Sequence, residues 1–186
     1  MSDFTEDDLT KKLLSIGGTR VAMHPEGETD LDEIVSRGHL TRGSDARRIK
    51  GGDPIRCHSN SGDLWKKNRD TVSIETGYAL SADGIWRQHS WAAWKDQPGI
   101  LETTAVPKGY KRVAYFGFPL TDAEAETFAK ANQSRRELHY PTLTPPDPWG
   151  ETDTASNIGN TRRRRTVARA TRPRYTPTTS MGRIGR

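Results

Sequence analysis

A single cysteine, Cys57, is all the sulfhydryl chemistry in this 186-residue chain, which excludes an intrachain disulfide and any multi-cysteine zinc site. Long apolar runs are missing too: nothing approaches the roughly 18 apolar residues a membrane span needs, and no apolar leader follows the start. The sequence therefore predicts a soluble protein of a reducing cytoplasm with no membrane partner. Hydrophobic residues are scarce at 32%, with a mean hydropathy of −0.85. A share this low predicts that part of the length packs into no core. Acidic residues end at Asp153, and nine arginines follow without a counter-charge. Taken without that segment the body is about four charges negative, so the isoelectric point of 9.5 describes the tail.

The length suits one domain with appendages. Thr5 to Ile16 reads as a short amphipathic helix with a threonine cap, acids in the first turn and Gly17-Gly18 beyond its end. Asp30 to Arg37 reads as a second helix closed by Gly38, followed by a polar loop to Ile55. Ser61 to Asn68 fits two more helical turns. Residues 71–80 and 85–94 alternate as half-buried strands about an Ala82-Asp83-Gly84 turn; residues 100–104 and 112–120 supply two further strands. Thr121 with Glu124 three residues on makes a capping box for a closing helix to Asn132. The expected fold is α+β, N-terminal helices packed on a small antiparallel sheet over residues 1–140. A Pro/Thr-rich linker over 141–159 and a disordered arginine-rich tail over 160–186 follow, with disorder expected from about residue 141.

Cys57 stands where the loop gives way to a helix, and a helix start favours a thiolate through its unbonded N–H groups and positive dipole end. Alternation puts Ile85, Arg87, His89 and Trp91 on one face of their strand, with Trp86, Gln88, Ser90 and Ala92 on the other. Glu102, on the next strand, can lie beside His89 and orient its ring. The chain thus offers a nucleophile, a base and an orienting acid in the order Cys57, His89, Glu102. Oxyanion donors would be the Cys57 backbone N–H and a side-chain amide, with Asn60 and Gln88 as candidates. His58 reads as a surface or loop residue that could compete with His89. Cys57, His58, His89 and Glu102 also include zinc-ligand types, but adjacent Cys-His is not a usual chelating spacing, and no metal or other cofactor is expected. Trp65, Trp86, Trp91, Trp94 and Tyr78 fit core positions better than a substrate cleft.

The order of a cysteine opening a helix, a histidine on one strand and an acid on the next resembles papain-like and transglutaminase-like cysteine enzymes, including the NlpC/P60 peptidases. Cys57-His58-Ser59-Asn60, Gly77-Tyr78-Ala79-Leu80, Trp86 to Trp91, Glu102-Thr103-Thr104 and Tyr115-Phe116-Gly117 also look like a group of small bacterial and phage proteins. The resemblance covers residues 55–120 and implies a cysteine hydrolase or acyl transferase, of peptidase, amidase or deamidase type, acting on a peptide, protein or small amide or ester. It also implies the cytoplasm of a bacterium or phage-infected host, or a virion, as its setting.

Arg162, Arg163, Arg164, Arg165, Arg169, Arg172 and Arg174 would neutralise phosphates and give salt-sensitive binding to RNA or DNA. The rival reading is therefore a non-enzymatic nucleic-acid-binding or virion-associated protein that works through this tail. A third is an inactive relative that binds a peptide in the old cleft.

Overall fold

In a computed structural model, residues 3–50, 52–106, 110–133 and 138–145 are described. Among them the chain forms four α-helices and a seven-stranded mixed sheet, an α+β plan. The helices are α1 (Glu6–Ile16), α2 (Leu31–Arg37), α3 (Cys57–Lys67) and α4 (Asp122–Ala131). The strands are β1 (Arg20–Ala22), β2 (His39–Arg42), β3 (Arg47–Arg48), β4 (Val72–Ser81), β5 (Ile85–Trp94), β6 (Ile100–Glu102) and β7 (Arg112–Pro119). They run in the order β2-β7-β4-β5-β6-β3, with β1 beside β5.

Local chemistry sets most of these boundaries. Thr5 with Asp8 and Thr121 with Glu124 form reciprocal capping boxes, satisfying helix-end N–H groups at the starts of α1 and α4. Gly84, at φ 80°, closes the β4–β5 hairpin in a backbone region that other residues seldom adopt. The predicted purely antiparallel sheet is corrected by two parallel pairings, β1 with β5 and β3 with β6. The stretch from Gly38 to Ile55, read as a polar loop, contributes β2 and β3, and β1 lies ahead of α2 in a stretch given no element. These strands are only two to four residues long and mostly exposed, too short for alternation to register in the sequence.

All four helices cover one face of the sheet. Leu9 and Leu13 of α1 and Ile34 of α2 pack on Tyr78, Trp86, Phe116 and Phe118; Trp65 of α3 with Ala125 and Ala129 of α4 pack on Ile74. Four of the five tryptophans are thus core residues at most 7% exposed, Trp91 among them on the opposite face. The packed body also reaches further than residue 140. Tyr140 is buried with Ile49, Leu64 and Leu101, Leu138 and Leu143 pack against that group, and Asn68 bonds to both Pro141 and Leu143. Three apolar residues at spacings of two and three pin a stretch whose prolines had suggested only a linker.

The other face carries a smaller apolar cluster of Ala79, Trp91, Ile100 and Tyr115. The sheet curls so far around it that Tyr115, on β7, reaches Glu102, on β6. Two glycines leave room at the bend: a Cβ on Gly77 would lie 2.3 Å from the Phe116 carbonyl oxygen, and one on Gly117 2.7 Å from the Trp91 indole.

Candidate active site

Cys57 is the first residue of α3, and the helical ladder begins three residues later with Asn60 N–H donating to the Arg56 carbonyl at 2.9 Å. Cys57 therefore belongs to the first turn, where the helix has unbonded N–H groups and its positive dipole end. His89 sits in the middle of β5, 1% exposed, and Glu102 ends β6. Ala93 pairs with Ile100 and Ala92 with Leu101, so Glu102 falls next to Trp91 on the same face as His89. His89 Nε2 lies 3.0 Å from Glu102 Oε2.

Glu102 is enclosed by donors. Tyr115 Oη donates to Oε2 at 3.0 Å and Arg112 Nη1 at 3.1 Å, while the Thr104 N–H donates to Oε1 at 2.9 Å. Burial alone would raise this carboxyl's pKa, but His89, then Arg112 and the Thr104 N–H, hold it down to about 2. Arg112 reaches the site because the β4–β7 register shifts at Leu80/Ser81. Regular alternation would turn Arg112 to the face opposite Tyr115; the irregularity re-aims it. Its second nitrogen, Nη2, lies 3.3 Å from His89 Nδ1. With Nε2 held by Glu102, Nδ1 is the ring nitrogen left for Arg112 and for the thiol.

The helices pack on the face opposite His89, and yet Cys57 meets it. On the side of β5 away from β4, β1 pairs with residues 85–87 and β6 with residues 92–93. The intervening edge is open among the described strands. The Cys57 thiol interacts with His58, whose ring is bonded to Ser90 on the helix-covered face, and with His89 on the other. A thiol on which rings from both faces bear is accounted for by this opening, since Ser90, which holds His58, and His89 are adjacent residues on opposite faces of the strand there. Burial pushes its pKa up, but hydrogen bonding to His58 and His89 and the charge of both rings bring it down to about 4. Burial likewise works against a charged His89, and the Glu102 carboxylate and the Cys57 sulfur outweigh it, raising the imidazole above its ordinary value.

His58 is thus part of the site and not a bystander on a loop. Its Nδ1 is 2.8 Å from Ser90 Oγ, which itself donates to Thr76 Oγ1 at 3.0 Å, so Ser90 accepts and His58 Nδ1 carries a proton. Phe128 of α4 packs on the ring, with centroids 5.6 Å apart. The sequence signal for His58 was its adjacency to Cys57, discounted because neighbours on a helix diverge. At an open strand edge that divergence is what lets one ring sit on either side of the sulfur.

The two side-chain oxyanion candidates are corrected. Asn60 is fully buried, with Oδ1 accepting from the Asp53 N–H at 3.0 Å and Nδ2 donating to the Asp53 carbonyl at 2.7 Å and to Thr104 Oγ1 at 3.2 Å. It ties down the loop that delivers Cys57. Gln88 Nε2 donates to both Glu28 oxygens at 3.2 Å, and Glu28 also accepts from Tyr78 Oη at 2.7 Å. Both amides are committed elsewhere, which leaves the backbone N–H groups at the start of α3 for the oxyanion role. Just ahead of them, Ile55 has a left-handed φ of 56° and is 95% exposed.

Arg162, Arg163, Arg164, Arg165, Arg169, Arg172 and Arg174 lie outside the described residues. Among the described residues no three His, Cys, Asp or Glu side chains gather as a metal site, and no helix is long and apolar enough to cross a membrane. Set against known protein families, curated proteins and solved structures, the chain matches none.

Proposed function

We propose that this protein is a cysteine-dependent hydrolase or acyl transferase of papain-like or transglutaminase-like plan, acting on an amide or ester. What supports the reading is Cys57 at the start of α3 beside His58 and His89, whose rings both lower the thiol's pKa, with His89 Nε2 held 3.0 Å from the buried Glu102 carboxylate. In the proposed reaction the Cys57 thiolate attacks the acyl carbon, and the oxyanion that forms is met by the N–H groups opening α3. The His89 imidazolium gives its Nδ1 proton to the leaving amine or alcohol, and a thioester remains. Water or an acceptor nucleophile then gives its proton to His89 as it attacks the thioester, and the thiolate is restored as the product departs. Glu102 keeps its charge throughout and fixes the ring.

An activated ester tests this. With p-nitrophenyl acetate we expect a burst of nitrophenolate near one equivalent and an acetyl adduct on Cys57 by intact-mass spectrometry. Release at the same rate from Cys57→Ala would refute the proposal.

The nine arginines after Asp153 support a second role, binding of a polyanion such as RNA or DNA that localises the enzyme or acts without it. Affinity that persists when residues 160–186 are deleted would exclude it.

A further inference from the structure

On the His58 side of the thiol lies a cavity of about 470 Å³ between α2 and α4. Phe118, Leu120 and Phe128 give it an apolar lining, while Asp30, Glu33 and Glu124 bring carboxylates. It adjoins the thiol's surroundings twice over, since Phe128 packs on His58 and the His58 ring bears electrostatically on Asp30.

From this we infer that the cavity is a subsite for a basic side chain, arginine or lysine, of the substrate acylating Cys57. The inference rests on the proposed cysteine chemistry for its meaning, but the cavity's occupant can be tested without it.

Three features favour a cation with an apolar stem. First, the pocket wall already holds one guanidinium: Arg37 lies 4.5 Å over the Phe118 ring and 2.9 Å from Glu124. Aromatic rings and carboxylates in this arrangement suit planar cations. Second, that pair leaves Asp30 and Glu33 without a lysine or arginine partner among the described residues. Burial, then Glu28 and Glu33, raise the pKa of Asp30, and the charge of an entering cation would offset the repulsion among these carboxylates and favour the ionised form of Asp30. Third, Asp30 occupies the N-cap position of α2 but makes no side-chain capping bond, and its carboxylate accepts only a long bond from Thr29 Oγ1 at 3.5 Å. An apolar side chain would fill the floor but leave these carboxylates unpaired, and an anionic one would be repelled.

Two measurements on the full chain separate the outcomes. N-acetyl-arginine amide should raise the melting temperature in a saturable way and slow iodoacetamide modification of Cys57 about tenfold at saturation, while N-acetyl-norleucine amide does neither. In the double variant Asp30→Asn, Glu33→Gln both effects of the arginine compound should disappear, read as the ratio of alkylation rates with and without the compound in the same variant, because Asp30 bears on His58 and so on the unprotected rate itself. Equal effects of the two amides, or effects that survive in the double variant, would overturn the subsite. An unreactive Cys57 whose arginine-dependent melting shift is intact would instead overturn the cysteine chemistry and leave the cation site standing. A single Glu33→Gln variant, at an exposed position, keeps the experiment decisive should the double variant fold poorly.

Discussion

The reactivity of Cys57 against pH is the sharpest consequence of its surroundings, and the expected curve is not simply a fast reaction. An ordinary thiol of pKa 9.0 is thiolate to about one part in a thousand at pH 6, whereas one lowered to about 4 is almost wholly ionised there. Depressing the pKa also weakens the nucleophile: with the sensitivity of thiolate exchange, five units cost about 2 to 2.5 decades of intrinsic rate. The folded chain should therefore react with iodoacetamide about three- to tenfold faster than the urea-unfolded chain at pH 6, and about ten- to thirtyfold slower at pH 8. The two curves cross between about pH 6 and 7, and the ratio changes about tenfold per pH unit. His89→Gln keeps a polar group of similar size beside Glu102 but removes the imidazole, so the midpoint of the folded curve should move up. His58→Gln should move it the same way, because the two rings act independently on the sulfur. Alkylation rates by quenched-flow mass spectrometry from pH 4 to 9 would give all three curves. A folded-to-unfolded ratio flat across this range would mean that Cys57 is not a stabilised thiolate, and the nucleophile assignment would fall with it.

Two further consequences follow from the site's supports. Glu102 has a folded pKa of about 2 against 4.5 for a free glutamate, so it contributes stability in full above about pH 4.5 and loses it as pH falls towards 2; Glu102→Gln should remove that acid slope and cost about 3 kcal/mol at pH 7 in urea unfolding. An unchanged slope would show that the buried ion pairs do not form. Ile55 is a β-branched residue in left-handed backbone with its side chain in solvent, so Ile55→Gly should raise stability by about 1 kcal/mol and leave the alkylation profile alone. A loss of stability would mean that the side chain makes contacts that solvent exposure does not suggest.

What could be read from the sequence was whatever had a period or a cap. The two capping boxes, the long β4–β5 hairpin and the parity that sets His89 opposite Ser90 are all local, and local pattern located them. Short elements defeated it: β3 has two residues, and no alternation can be seen in two. Topology lay further out of reach. That β1 and β6 leave part of the β5 edge open depends on pairings between distant segments, and only this gap lets a helix on one face deliver its cysteine to a histidine on the other. Arg112 was hidden for a related reason. Its strand was expected, but the bulge that turns it towards Glu102 belongs to the register of β7 against β4 and has no signature in residues 110–114. Asn60 and Gln88 had the right chemistry for oxyanion donors, and their neighbours in space, Asp53 and Glu28, claimed them.

The arrangement also says when the proton should move. Burial works against a charged His89, and two partners overcome this, the Glu102 carboxylate and the Cys57 sulfur. In the resting state both are negative, so the imidazolium is held firmly and is a poor acid. Attack on an acyl group moves the charge of sulfur to the carbonyl oxygen, where the N–H groups at the start of α3 receive it. His89 then keeps only Glu102, and Glu102 is shared with Arg112, whose guanidinium is 3.1 Å from the same oxygen and 3.3 Å from His89 Nδ1. A second cation that close to a buried imidazolium, with the thiolate gone, lowers its pKa just as the leaving group needs a proton. Arg112 therefore acts as a positioning residue that biases the transfer forward. Substituting it with methionine should leave the thiol's pKa depressed, slow acylation by a p-nitroanilide, whose leaving amine must take the His89 proton, and move the alkaline limb of that rate to higher pH, while p-nitrophenyl acetate, whose leaving group departs as an anion, is affected far less. Equal slowing with both substrates and an unmoved alkaline limb would reduce Arg112 to a support for Glu102 alone.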